Sequence, residues 1–129
     1  MIRFVCLACL SLLLFGGVMT AQPAHADKEG KLRHLVLFKY KETASEAQIQ
    51  KIEAAFAALP SKINTIRDFE MGKNISEEGL DQGFTHCYLV TFDDKAGLDV
   101  YLPHPDHQAF VELLKPSLDK VFVVDFVGK

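Results

Sequence analysis

The chain has 129 residues, of which 24% are charged and 49% apolar, with a formal net charge of −3. That is the length of one domain. The balance is acidic and no basic stripe runs through the sequence, so a nucleic-acid partner is not expected.

Residues 1–26 differ from the rest. Arg3 is followed by an apolar run from Phe4 to Phe15, then Gly16-Gly17, then small and polar residues ending Ala24-His25-Ala26. This pattern predicts a secretory signal peptide cleaved after Ala26. The run is too short for a membrane span, which needs roughly 20 apolar residues, so no stable anchor is expected after cleavage. The expected product is an exported domain, periplasmic or secreted, covering residues 27–129. Losing Arg3 takes the formal charge from −3 to −4. Cys6 and Cys9 leave with the leader, so Cys87 remains alone and no intrachain disulfide can form. In its apolar surroundings Cys87 reads as a structural thiol. Residues 27–129 carry no Cys-x-x-Cys pair, glycine-rich phosphate loop or Gly-x-Ser-x-Gly elbow, and no cofactor is expected.

Arg33 to Tyr40 is short, apolar and aromatic, and predicts a strand. Ser45-Glu-Ala-Gln48 forms a capping-box pattern, and Ile49, Ile52, Phe56 and Leu59 follow at helical spacing until Pro60. Ile66 to Lys73 predicts a second strand, Asn74 to Gly83 a polar loop, and Phe84 to Phe92 a third strand. Asp93-Asp94 offers an N-cap to a short helix with Leu98, Tyr101 and Leu102 on one stripe. Pro103 and Pro105 interrupt it. A further helical segment begins near Asp106, carries His107, Phe110, Val111 and Leu114 on one face, and stops near Pro116. Val121 to Val127 closes the chain as a strand. The order β-α-β-β-α-β predicts an α+β, ferredoxin-like subunit: a four-stranded antiparallel sheet with helices on one face.

Alternate residues of a strand face opposite sides of its sheet. Val36, Phe38 and Tyr40 oppose Leu35 and Leu37; Phe84, Tyr88, Val90 and Phe92 oppose Cys87 and Leu89; Val121, Val123 and Val127 oppose Phe122, Val124 and Phe126. Both faces are apolar, and helices on one side cannot cover the other. A second copy of the same sheet would cover it, giving a homodimer with a barrel-like interior.

Histidines and a tyrosine supply the chemistry. Tyr101 and His107 lie on the inward stripes of the two helical pieces, where a phenol could donate to a developing oxyanion and an imidazole could move a proton. They are the candidate catalytic pair; ordinary satisfied core residues are the alternative reading. His34 and His86 share the aromatic-bearing faces of their strands but belong at opposite ends of the antiparallel pair, with His34 nearer Tyr101 and His107. His104 completes the candidate pocket set. His104-Pro-Asp-His107 offers only Asp106 as a local third ligand, too few for a zinc site, and no metal is expected.

With His34-Leu-Val-Leu-Phe-Lys39, Gly72-Lys-Asn74, Glu78 to His86 and Tyr101-Leu-Pro-His-Pro-Asp-His-Gln108 in view, the chain resembles the stress-responsive A/B barrel (Dabb) family from about Leu32 to Phe126. The resemblance implies a ferredoxin-like subunit and a dimeric α+β barrel. The family includes a polyketide cyclase whose Tyr/His pair maps onto Tyr101 and His107, with further pocket histidines matching His34 and His86. A pocket tyrosine on the first helix of that enzyme is Phe56 here. Two functions follow: a module holding a small hydrophobic ligand without turnover, or a cyclase- or lyase-type enzyme acting on a carbonyl substrate through Tyr101 and His107.

Overall fold

The computed structural model describes residues 30–129. The expected leader, residues 1–26, lies outside the described residues. The elements are β1 (Leu32–Tyr40), α1 (Glu46–Ala57), a 3₁₀ turn (Leu59–Ser61), β2 (Ile66–Lys73), β3 (His86–Phe92), α2 (Lys95–Tyr101), α3 (Pro105–Leu114) and β4 (Leu118–Val127). The strands form one antiparallel sheet in the order β2-β3-β1-β4, so β1 and β3 are central and β2 and β4 are edges. This is the ferredoxin-like α+β subunit read from the element order.

Local chemistry sets the helix boundaries. The Ser45 hydroxyl accepts from the Gln48 N–H at 3.2 Å, and the Gln48 side-chain oxygen accepts from the Ser45 N–H at 2.8 Å. The capping box thus satisfies two donors that the first turn of α1 would leave orphaned. Asp94 caps α2 through the Gly97 N–H at 3.1 Å. Pro103 and Pro105 divide the second helical region into α2 and α3, with Pro105 in the first turn of α3, where a missing N–H costs nothing.

β1 begins one residue before the expected Arg33, and two strand starts differ from expectation by more. β3 begins at His86 rather than Phe84, because the chain is still turning: Gln82 and Gly83 have φ of 56° and 83°, and the Phe84 N–H donates to the Asp81 carbonyl at 2.9 Å. A side chain at Gly83 would meet Lys39 Cε at 2.9 Å. β4 begins at Leu118 rather than Val121. Leu118-Asp-Lys120 carries no strand pattern of its own, but it is paired with the end of β1 across a bulge at Lys39/Tyr40.

The helices pack on one face. Val36, Phe38, Tyr88, Val90 and Phe92 from the central strands join Ile52, Phe56, Leu98, Tyr101, Phe110 and Leu114 in one buried cluster. Aromatic rings carry much of it: Phe56 lies 4.4 Å from Phe110 and 4.7 Å from Tyr88 between ring centroids, and Phe92 lies 5.2 Å from Tyr101. β4 is the exception. Val121, Phe122, Val123, Val124, Phe126 and Val127 are exposed, from 37% at Val124 to 58% at Val127, and they alternate between the two sides of the sheet.

Phe92 is completely buried at the junction of β3 and α2. Phe92→Ala is expected to cost about 3–5 kcal/mol of stability, measured by chemical denaturation; a loss below about 1 kcal/mol would show that this junction is not closely packed.

Candidate functional site

A cavity of about 370 Å³ opens between α3 and the β1–β4 half of the sheet. Phe38, Phe56, Phe110, Leu114, Leu118 and Val123 are among its apolar walls, and its polar side chains include Tyr101, His107, His34 and Asp125. Tyr101 ends α2 and His107 sits in the first turn of α3, so the proline break between the helices folds one ring onto the other, with centroids 4.2 Å apart.

The break also orients His107. At the end of a helix the last carbonyls lack intrahelical partners. The Leu102 carbonyl accepts from His107 Nδ1 at 2.9 Å and from the Gln108 side-chain amide at 2.7 Å. A carbonyl can only accept, so the neutral imidazole carries its proton on Nδ1 and leaves Nε2 as a base. Burial lowers the His107 pKa below its ordinary 6.5; the bond to Leu102 opposes this, and His34 and His104 reinforce it. Tyr101 is fully buried, and its hydroxyl has no hydrogen-bond partner among the described residues. Burial pushes its pKa well above the usual phenol range, so it stays protonated and able to donate.

His34 enters from β1. Its ring lies edge-on to Tyr101, with centroids 5.8 Å apart, and its Nδ1 is 2.6 Å from Asp125 Oδ1. His34 and Asp125 are direct cross-strand partners, which places both side chains on the cavity side.

His86 and His104 lie elsewhere. His86 pairs in register with Phe38 on β1, toward the far end of the sheet from His34. Its Nδ1 is 2.8 Å from the Thr85 hydroxyl, its ring meets Tyr40 edge-on at 4.9 Å, and Nε2 is 3.5 Å from Glu53 of α1. Burial lowers its pKa, with Glu53 opposing. His104 is the N-cap of α3: its Nδ1 accepts from the Asp106 N–H at 3.2 Å. The structure therefore brings Tyr101, His107 and His34 together. Asp125 joins them without a sequence expectation, its only signal being one carboxylate within the apolar run of β4. No group of three or more His, Cys, Asp or Glu side chains among the described residues could hold a metal ion.

An antiparallel four-stranded sheet, helices on one face and a cavity beneath them define a ferredoxin-like pocket protein. Residues 32–128 match the model of the Stress responsive A/B Barrel Domain, and the chain belongs to that Dabb family. It is 34% identical over 100 residues to the stress-response A/B barrel domain-containing protein HS1 of Arabidopsis thaliana, covering 78% of this chain and 92% of the relative. It is 26% identical over 98 residues to olivetolic acid cyclase of Cannabis sativa, covering 76% and 97%. Among solved structures, a hydroxynitrile lyase from Passiflora edulis superposes with a TM-score of 0.73 at 26% identity, covering 79% of this chain and 95% of that one. A dimeric ferredoxin-like protein of unknown function from Jannaschia sp. CCS1 superposes with a TM-score of 0.67 at 31% identity, covering 75% and 98%.

Burial of neutral His107 fixes the sign of a pH effect. Its folded pKa is below the unfolded value, so the unfolded state binds more protons in the window just below pH 6.5. Stability is expected in full above that pH and to fall as the pH drops from it through the folded midpoint, with His86 contributing in the same direction. Proton NMR should give a His107 midpoint under 6.5, and His107→Gln should flatten the acid limb of stability; a raised midpoint would contradict the burial argument.

Proposed function

We propose that this protein is an exported homodimer whose cavity takes a small hydrophobic carbonyl compound, and that Tyr101 and His107 move a proton on it. The observation that carries this reading is the Tyr101 hydroxyl, fully buried and without a partner among the described residues, on a ring that meets the His107 imidazole at a tilt in an apolar cavity. A buried donor without an acceptor costs about 1–3 kcal/mol. An oxygen of a bound guest would recover that energy.

The step follows from the two protonation states. His107 Nε2 takes a proton from the carbon next to the carbonyl. The C–H electron pair becomes the enolate π bond, and the carbonyl electrons move onto oxygen, where the Tyr101 O–H donates to the developing charge. Return of the proton from imidazolium restores the starting state, and capture of the enolate by an electrophile gives cyclisation or addition. A cyclase stands among the relatives, and its name supports capture of an enolate in ring closure; the name of the hydroxynitrile lyase supports proton transfer at a carbonyl-forming centre without an enolate. Phe56, which lines the cavity from α1, adds hydrophobic surface and no hydrogen bond, so this guest is held largely by apolar contact.

The dimer reading rests on β4. An edge strand with large apolar side chains exposed on both sides is an aggregation hazard unless it is covered. The Jannaschia relative is described as dimeric, which supports a second copy as the cover. Export rests on the 1–26 pattern.

Phenylacetone in deuterated buffer provides the test of chemistry. The protein is expected to catalyse exchange of the protons between ring and carbonyl, and Tyr101→Phe and His107→Gln are each expected to lose roughly 100-fold or more; binding without exchange would leave a pocket that holds its guest without turnover. Protein recovered from outside the cytoplasm is expected to start at Asp27 and to sediment at twice the chain mass, with Phe122→Asp shifting it to monomer. A compact monomer at micromolar concentration would overturn the assembly.

A further inference from the structure

The cavity holds a second imidazole that the proposed proton transfer does not use, and its setting is more constrained than that of His107. His34 is 6% exposed, on a central strand, with Nδ1 2.6 Å from the Asp125 carboxylate. A carboxylate only accepts, so this contact requires the proton on Nδ1. A free neutral imidazole can place its proton on either nitrogen; a carboxylate partner removes that choice and fixes the ring plane. The contact also follows from the fold rather than from side-chain reach. His34 and Asp125 face each other across β1 and β4, and Val36 with Val123 and Phe38 with Val121 continue the same face, so Asp125 is the one carboxylate on this strand wall, while Lys115 lines the cavity from the end of α3.

We propose that Asp125 is a positioning residue that presents His34 Nε2 to the cavity as a fixed hydrogen-bond acceptor, and that the guest is therefore a hydroxy ketone: a carbonyl oxygen for the Tyr101 hydroxyl and an adjacent O–H for His34. This rests on the carbonyl reading of the cavity for half of the ligand, and on the His34–Asp125 contact alone for the other half. Three of the cavity's polar groups then have complementary roles. Tyr101 donates, His34 accepts, and His107 stands as the base for carbon.

Two measurements separate this inference from the proton-transfer reading. Two-bond ¹H–¹⁵N correlation spectra at about pH 8, above the imidazole range, are expected to show His34 as the Nδ1–H tautomer, and Asp125→Leu is expected to move it toward Nε2–H. Asp125→Asn, whose amide can donate to Nδ1, is expected to move it the same way and guards against a packing effect of leucine. Binding of 1-hydroxy-1-phenylpropan-2-one is compared with that of phenylacetone, which lacks the hydroxyl. The native protein is expected to prefer the hydroxy ketone by on the order of tenfold, and Asp125→Leu to bring the ratio of the two affinities to about one, the ratio being the readout because Asp125 itself lines the cavity. A His34 ring already in the Nε2–H form, a tautomer indifferent to Asp125, or equal binding of the two ketones would each overturn the inference. If the protein fails to exchange carbon-bound protons but keeps the tautomer and the preference, the proton-transfer reading falls and this one stands.

Discussion

The structure turns on a mismatch of widths: the helical roof is narrower than the sheet beneath it. α1 and α3 meet through Phe56 and Phe110, and those rings pack against Phe38 and Tyr88 of the two central strands. Aromatic contacts at these separations fix the roof over β3 and β1. β4 is left beyond its edge, with Val121 and Val123 turned toward a layer that does not reach them. Close packing is the rule inside proteins, so space persists only where the elements cannot be brought together. The cavity under α3 is that place, and the exposed apolar side chains of β4 have the same origin.

The polar groups of the cavity owe their states to features the fold sets in place, a helix break, a strand register and burial. His107 carries its proton on Nδ1 because the break at Pro103 and Pro105 leaves the Leu102 carbonyl to be satisfied. His34 carries its proton on Nδ1 because strand register sets it against Asp125. Tyr101 remains a neutral phenol because it is wholly buried and has nothing to ionise against. In the proposed reading, these three constraints yield two acceptors and one donor around an apolar space. None of them needs a bound guest to be in place, which is what a preorganised site requires.

Much of this was legible in the sequence, and the boundary of legibility is physical. Period-two and period-3.6 patterns report local geometry, and they located β2 at its observed ends and α1 to within a residue or two. The pairing of Tyr101 with His107 was legible because both sit on the inward stripes of helices joined by two prolines. Tertiary facts were not. Leu118-Asp-Lys120 becomes strand only because β1 is there to pair with it. Phe84 looks like strand but follows a turn with left-handed backbone, to which its N–H is tied. Its ring meets Phe122 on the face away from the helices rather than the helix face expected of it, whereas Thr85 already bonds Phe38 and Asn74 on either side. Asp125 was invisible as a site residue because its importance lies in the register between the first and last strands, 91 residues apart. Register depends on every pair along the two strands, and no local window contains it.

The two strand histidines show how far residue type falls short of role. His34 and His86 are about equally buried and face the same helical layer from adjacent strands. His86 lies under α1, where Thr85, Tyr40 and Glu53 surround it and Tyr40 also contacts the Tyr88 hydroxyl at 3.3 Å; its buried Nε2, 3.5 Å from Glu53, makes no hydrogen bond among the described residues. His34 lies at the other end of the layer beside Tyr101, with a carboxylate on one side and the cavity on the other. An imidazole enclosed by protein partners braces the packing around it. The same ring with one nitrogen fixed and open volume beside the other can engage a guest. The shape of the gap between roof and sheet therefore separates the two roles, since chemical identity and depth of burial are common to both.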